Sequence, residues 1–307
     1  MKAALAVLDK RRGNVTLSSH ERQHHVRLGD AAVLFDGRIY SPTLGASGTE
    51  IIVKKLQQAD HLKASETFLK EVEGDFSFII AELQRIIAGR DAMGVQPLYY
   101  GENRTVAALA SNRQALWKLG IEKTQSFPPG HLAFVSREGF KFKPIKTLVY
   151  SEPKQVTMQK AAETLQKLLE RSVRRRVSGT KEIAVAFSGG LDSSVIAFLP
   201  KKCRANVHLV HVSLENRPET EEAKKAADEL NLPIQVYLFR EADVEKVVSR
   251  VVELIEEADA VKVSVEVPFY WTAEKASEAG FKVLLAGQGA DELFGGYQRY
   301  VKDYLLY

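Results

Sequence analysis

The sequence predicts two domains of different class: a strand-rich α+β domain over residues 1–148 and a doubly wound α/β domain over residues 149–307. Three observations carry that reading. The first half holds short apolar or alternating runs separated by Gly, Asp, Asn or Pro, as antiparallel strands joined by turns do. The second half alternates apolar strands with helical patterns, which implies a parallel sheet wound on both faces. Between them, PIKTLVYSEPKQVT at 144–157 reads as a connector.

In the first half, AALAVL, AAVLF, FSFIIAEL, RIIAG, TVAALA and HLAFV are the expected strands. GTEIIVKKLQQADHL reads as one helix and SETFLKEVEG as another, while FPPGHLAFV is a Pro-Gly turn feeding a strand. These elements fit packed antiparallel sheets. In the second half, MQKAAETLQKLLERSVRRRV is an amphipathic helix with Ala161, Leu165, Leu168, Leu169 and Val173 on one face. EIAVAF is a buried strand, followed by a Gly-rich turn and a helix from about Ser193. NVHLVHVSL, PIQVYLF and KVLLAG are the remaining strands. ETEEAKKAADELNL, DVEKVVSRVVELIEEA and PFYWTAEKASEAG are the remaining helices.

Composition narrows the function. Apolar residues are 45% and charged residues 27%, the balance of a globular chain with a core. The net charge of +4, with basic and acidic residues interleaved, argues against a nucleic-acid partner. Arg174, Arg175 and Arg176 are better explained by a helix C-terminus, where cations oppose the dipole. No run is long enough to cross a bilayer, and MKAALAVLDKRR lacks the order of a signal peptide. The single cysteine, Cys203, excludes an internal disulfide and fits a cytoplasmic protein. His20, His24 and His25 could cluster on a helix, but no acid or cysteine completes a metal spacing, and a solvated loop is expected.

FSGGLDSS follows a strand and opens a helix. Gly189 and Gly190 allow a sharp turn that brings backbone N–H groups to a ligand, and the helix N-terminus adds partial positive charge. Ser188, Ser193 and Ser194 add hydroxyls. Asp192 would repel a bare phosphate, so its expected use is to hold Mg²⁺ bridging phosphates. No lysine follows the glycines, so this is not the Gly-Lys-Ser/Thr phosphate loop. The expected ligand is a pyrophosphate-like group. Ligands of such sheets bind beyond the carboxyl ends of the strands. Phe187, Val212, Ala286 and Gly287 mark three of those ends and could frame an adenosine. Asp291, in GQGADELFGGY, arrives on the same edge as Asp192 and could share the metal; the plainer reading makes it a helix cap.

FSGGLDSS resembles the pyrophosphate loop of enzymes that cleave ATP to AMP and pyrophosphate. Together with LLAGQGADELFGGYQRY it resembles the synthetase domain of glutamine-dependent asparagine synthetases. The β-lactam and carbapenam synthetases share that domain. DGRIYS, SGTEII, EVEGDFSFII, AGRDAMGVQPLYYG, ASNRQAL and PPGH resemble the family's amidotransferase domain, so the likeness covers nearly the whole chain. It implies an N-terminal-nucleophile sandwich joined to an ATP pyrophosphatase-type α/β domain. It also implies that Ser188, Gly189, Gly190, Asp192 and Ser193 hold pyrophosphate and Mg²⁺, with Phe187, Val212, Ala286 and Gly287 at the adenosine.

The chain departs from the family at informative places. The family's nucleophilic cysteine follows the initiator Met, where this sequence has Lys2. The family's Asn-Gly-Glu-Ile-Tyr appears with Asp36 before Gly37, replacing an amide donor by a carboxylate that would destabilise an oxyanion. The family's Ser-Asp-Thr-Glu has Gly48 in place of the acid that holds glutamine's α-amine. No carboxylate-gripping arginine motif is recognisable in SSHERQHHVRLGD. An inactive glutaminase is therefore expected. Gln288 stands where asparagine synthetases carry a glutamate, and it cannot ionise. Glu256, Glu257 and Asp259 could restore a charge, although a solvated helix end explains them more simply. The family also continues past FGGYQRY, where this chain stops at VKDYLLY; a natural short form, a split gene and a truncated chain all fit, as does a complementing C-terminal chain, and a homodimer is a further compatible assembly.

The resulting expectation is an ATP-dependent, amide-forming ligase. It would adenylate a small-molecule carboxylate such as aspartate and take ammonia or another amine. The alternative is an ATP-binding non-enzyme acting as a regulatory or scaffold subunit. A tRNA-modifying pyrophosphate-loop enzyme is disfavoured by the modest charge and the lack of Cys pairs.

Overall fold

The computed structural model describes residues 3–18, 25–40, 47–298 and 300. It divides into two compact units, Met1–Pro153 and Lys154–Tyr307.

The first unit runs β1 (Leu5–Asp9), β2 (Val15–Ser18), β3 (His25–Leu28), β4 (Ala31–Ile39), α1 (Gly48–Leu56), α2 (His61–Glu71), β5 (Gly74–Ala81), β6 (Ile86–Arg90), β7 (Tyr99–Glu102), β8 (Val106–Ala110), α3 (Arg113–Trp117), β9 (Gln125–Ser126), β10 (His131–Ser136) and β11 (Gly139–Pro144). The strands form two sheets, in the orders β2-β1-β8-β7-β9 and β11-β10-β6-β5-β4-β3. Each central strand divides its apolar side chains between two cores, since alternate residues face opposite ways. Val33, Phe35, Phe76, Phe78 and Ile80 pack under Ile52, Leu56, Phe68 and Leu69 of α1 and α2. Leu34, Ile79, Ile86 and Ala88 face the other sheet and meet Ala6, Leu8 and Leu109. Burial on both faces is why FSFIIA reads as a continuous apolar run rather than an alternating one. On the far side of the first sheet, α3 lays Leu116 over Ala108 and Ala110.

One correction concerns the helices of this unit. The helix expected over GTEIIVKKLQQADHL ends at Leu56, and the second helix, expected from Ser65, begins at His61. Asp60 accepts hydrogen bonds from the backbone N–H groups of Leu62 (3.0 Å) and Lys63 (3.3 Å) and so starts α2. SGTE is itself a capping box: Ser47 Oγ accepts from Glu50 N at 3.2 Å, and Glu50 Oε2 accepts from Ser47 N at 2.8 Å. The AGRDAMG segment is a structural knot. Asp91 accepts from the N–H groups of Phe76, Met93, Val95 and Gln96. The buried Arg90 donates to the carbonyls of Gln96, Phe127 and Gly94, and burial lowers its pKa from the usual arginine range.

The second unit runs α4 (Met158–Val177), β12 (Glu182–Ala186), α5 (Leu191–Lys202), β13 (Asn206–Leu214), α6 (Glu219–Leu230), β14 (Ile234–Phe239), α7 (Glu241–Ile255), α8 (Ala260–Glu278), β15 (Leu284–Leu285) and α9 (Ala290–Phe294). Its sheet is parallel, in the order β14-β13-β12-β15. The chain moves outward from β12 to β14, then returns to place β15 on the other side of β12. The order reverses between β12 and β15, and at such a switch point a crevice opens beyond the strand ends. Helices cover both faces. Val173, Ala197, Leu199, Ala223 and Ala227 pack on Ile183, Val185 and Leu209. On the opposite face Ala276 packs on Ala184 and Val210.

Three expectations change here. Leu168 does not join the buried stripe of α4 and is 57% exposed. The buried line steps by four, through Leu169, Val173 and Val177. The last strand is two residues, not six. Finally, the helix expected to begin at Pro268 begins at Ala260, with Asp259 accepting from Lys262 N at 2.9 Å as its cap. A proline inside a helix costs about 3 kcal/mol. The stripe Val263, Val267 and Trp271 offsets that by burial, and Trp271 stacks on Phe239 at 4.0 Å.

Candidate functional site

The Gly-rich turn occupies residues 188–190, between β12 and α5. Gly189 has φ +82°, which a residue with a side chain rarely adopts. A Cβ there would lie 2.8 Å from Cα of Ala223 on α6. Gly190 is the N-cap of α5 and offers no side chain to the helix end. The first-turn N–H groups of a helix have no partner within it, so this end presents unpaired donors.

The serines work inside the turn. Ser193 Oγ donates to Gly190 O at 3.0 Å and accepts from Ser188 N at 3.3 Å. Ser188 Oγ lies 3.1 Å from Ser193 Oγ and accepts from Gly190 N at 3.3 Å. One set of hydrogens satisfies all four contacts, with Ser188 donating to Ser193. Both hydroxyls brace the loop through these bonds; Ser193 is buried, while Ser188 is exposed. Asp192 is half-buried on the first turn of α5.

The second motif closes on this turn. A Cβ on Gly287 would lie 2.8 Å from the carbonyl carbon of Asp192 and 2.9 Å from Ser193 N. Only glycine allows that approach, so the loop after β15 runs against the first turn of α5. Ala286 is half-buried and Gln288 is exposed beside it. Asp291 stands in the first turn of α9. A Cβ on Gly296 would lie within 1.9 Å of Asp291 Oδ1, so the second glycine of FGGY is the space that this carboxylate occupies.

At Phe187 and Val212 the expected role belongs to backbone groups at the strand ends, and the side chains of both lie in apolar clusters. The Phe187 side chain is in the core, and its N–H donates to Val210 O at 2.9 Å. Val212 packs with the cluster around Trp271. Among the described residues no group of three or more His, Cys, Asp or Glu side chains could hold a metal. Glu257 pairs with Lys262 at 2.7 Å, and Glu256 adopts a left-handed conformation that ends α7.

One residue of this region escaped the sequence reading. His211, buried on β13, reaches the Phe187 carbonyl through Nδ1 at 2.8 Å and Thr220 Oγ1 through Nε2 at 3.3 Å. A polar residue inside an apolar strand run was the available signal.

In the first unit, Asp36 and Gly37 lie on β4, opposite Ser77 and Phe76 of β5. Gly37 has φ +115°, and a Cβ there would strike the Asp75 carbonyl. Gly48 opens α1 with the ring of Phe35 against it: a Cβ would lie 2.1 Å from Phe35 Cε1. Lys2, His20 and His24 lie outside the described residues, and His25 begins β3.

An antiparallel two-sheet unit followed by a parallel unit with a Gly-rich loop at its switch point defines an N-terminal-nucleophile amidotransferase-like fold joined to an ATP pyrophosphatase-type fold. Comparison with known proteins agrees. Residues 10–118 match a glutamine amidotransferase domain and residues 164–306 match asparagine synthase. A putative asparagine synthetase [glutamine-hydrolyzing] 1 of Methanocaldococcus jannaschii is 35% identical over 80% of this chain and 48% of its own length. Asparagine synthetase [glutamine-hydrolyzing] 2 of Arabidopsis thaliana is 24% identical over 95% of this chain and 52% of its own. Among solved structures, the glutamine phosphoribosylpyrophosphate amidotransferase of B. subtilis, complexed with ADP and GMP, overlaps 76% of this chain and 59% of that one, at 13% identity and a TM-score of 0.39. The chain belongs to the asparagine synthetase (glutamine-hydrolyzing) family. It spans about half the length of the curated relatives it matches.

Proposed function

We propose that this chain is an ATP-dependent, amide-forming ligase of the asparagine synthetase type that uses free ammonia or another amine. A carboxylate oxygen of a small acid, aspartate by analogy with the relatives' names, attacks the α-phosphorus of ATP, and pyrophosphate leaves. The amine then attacks the acyl carbon, AMP leaves, and the nitrogen loses a proton. The single observation that carries this reading is the contact of Gly287 with the backbone of Asp192 and Ser193. It sets the loop after β15 against the Gly-rich turn at one sheet edge.

In this reading the unpaired N–H groups at the start of α5 receive the pyrophosphate part. The adenosine part lies over the strand ends, near the backbone of Phe187, Val212, Ala286 and Gly287. Asp192 and Asp291 fit Mg²⁺ because that ion takes hard oxygen donors. Its charge would offset the negative charge of the phosphates. Gln288 is exposed on the loop and neutral, so the proton of the attacking amine has to go elsewhere; general-base help at such a place is worth roughly 10²–10⁴-fold.

In this reading glutamine is not the nitrogen source, and the residue types at the family's motif positions support that. Lys2 replaces the thiol nucleophile, Asp36 replaces an amide donor, and Gly48 lacks an acid. The Phe35 ring fills the space a side chain at 48 would need. A second reading, an ATP-binding regulatory or scaffold subunit in the cytoplasm, is favoured by Gln288 together with that filled space. A homodimer or a complementing chain is compatible with both readings. Neither needs nucleic acid or a membrane, and no helix among the described residues is long and apolar enough to cross one.

The deciding experiment measures AMP and pyrophosphate release from Mg-ATP, aspartate and ammonium, with Asp192→Ala as control. Release that needs both aspartate and Asp192 supports the ligase. Binding of ATP with no release supports the second reading.

A further inference from the structure

We infer that His211 is a positioning residue for the pyrophosphate loop, donating its Nδ1–H to the Phe187 carbonyl. The inference rests on the proposed role of residues 188–193. It starts from a buried polar group that the chemistry above leaves unused. His211 is 3% exposed and Thr220 is 6% exposed, so neither ring nitrogen can turn to water instead. Nδ1 faces the carbonyl oxygen of Phe187, and a carbonyl only accepts. A ring proton is therefore on Nδ1. Nε2 lies 3.3 Å from the Thr220 hydroxyl, which can donate to it or accept from it. The chain of bonds runs Thr220 to His211 to Phe187, from the start of α6, through β13, to the residue before the Gly-rich turn.

This chain has a consequence for anion binding. A loop that receives phosphate must aim N–H groups at it and keep carbonyl oxygens away. Phe187 carries the last carbonyl before that turn. His211 holds that oxygen inward, while Phe187 N–H is held by Val210. The Gly189 backbone then lies against Ala223 of α6, the helix that carries Thr220 near its start. His211 thus ties the turn to the wall it leans on.

The test uses the full chain and inorganic pyrophosphate with Mg²⁺, titrated calorimetrically. His211→Leu removes the donor to Phe187 and is expected to weaken pyrophosphate binding about tenfold, the size of one lost buried hydrogen bond. His211→Asn places an amide N–H near the Nδ1 position and is expected to stay within about threefold of the parent. Both variants disturb the same buried site, so a merely structural role would weaken both alike. The ¹⁵N chemical shifts of the parent ring are expected to show a protonated Nδ1. If His211→Leu does not fold, Thr220→Val should still move the Nε2 shift. A folded His211→Leu that binds like the parent overturns the inference, as do equal losses in both variants or an Nε2–H tautomer. A parent chain that binds no pyrophosphate overturns the loop reading itself, and the inference with it; the parent titration tells that failure apart.

Discussion

Gly48 and Gly287 each lie where a motif meets the start of a helix, and the space that each glycine leaves is filled in opposite ways. At Gly287 the neighbours are the carbonyl carbon of Asp192 and the amide of Ser193, so the missing Cβ lets two backbones meet at the sheet edge. At Gly48 the neighbour is the ring of Phe35, itself stacked on Phe76 at 5.7 Å within a buried aromatic cluster. One vacancy leaves polar backbone beside an open helix end; the other is plugged by hydrocarbon. A glycine at a motif position is therefore no guide to a ligand until its neighbours are known.

Substitutions can break or sharpen this contrast, and the largest effect is expected at Gly287. A side chain there must push apart the two loops that form the proposed site, so Gly287→Val should abolish ATP binding, by calorimetry. Asp192→Ala should lower AMP release about 100-fold or more, as loss of one pre-organised electrostatic group does, while the thermal midpoint stays near that of the parent. Gln288→Glu restores an ionisable side chain and should raise ammonia-dependent AMP release about tenfold, within the range of general-base assistance. An unchanged rate would remove Gln288 from the argument. In the first unit, Gly48→Asp should destabilise by about 1–3 kcal/mol through overpacking against Phe35, read by urea unfolding, and should yield no glutamate from glutamine. The smallest effect belongs to Leu168→Glu, on an exposed turn of α4, expected within about 0.5 kcal/mol of the parent.

The sequence made the interior of both units legible and their margins obscure. NVHLVHVSL and the α4 helix match their observed bounds because burial imposes a period on long runs. The strands it missed, such as VTLS, HVRL and GFKFKP, are sheet edges or carry many polar residues, so no apolar run marks them. Pro268 was mistaken for a helix start because proline is usual there; the real signal was Asp259, nine residues earlier in the chain. At the candidate site the Gly-rich turn could be read from residue types in context. The closeness of Gly287 to Asp192, and the bracing use of the serine hydroxyls, could not, because both depend on how far apart β12 and β15 stand.

The helix α9 is bounded by Gly289 at φ +89° and Gly295 at φ +69°. Left-handed backbone at both ends means that neither end can be extended by a further helical turn without reversing the sign of a torsion. An inserted or deleted residue cannot be absorbed by sliding the helix along its axis. A length change is thereby confined to positions outside 289–295, which keeps Asp291 two residues after the left-handed Gly289.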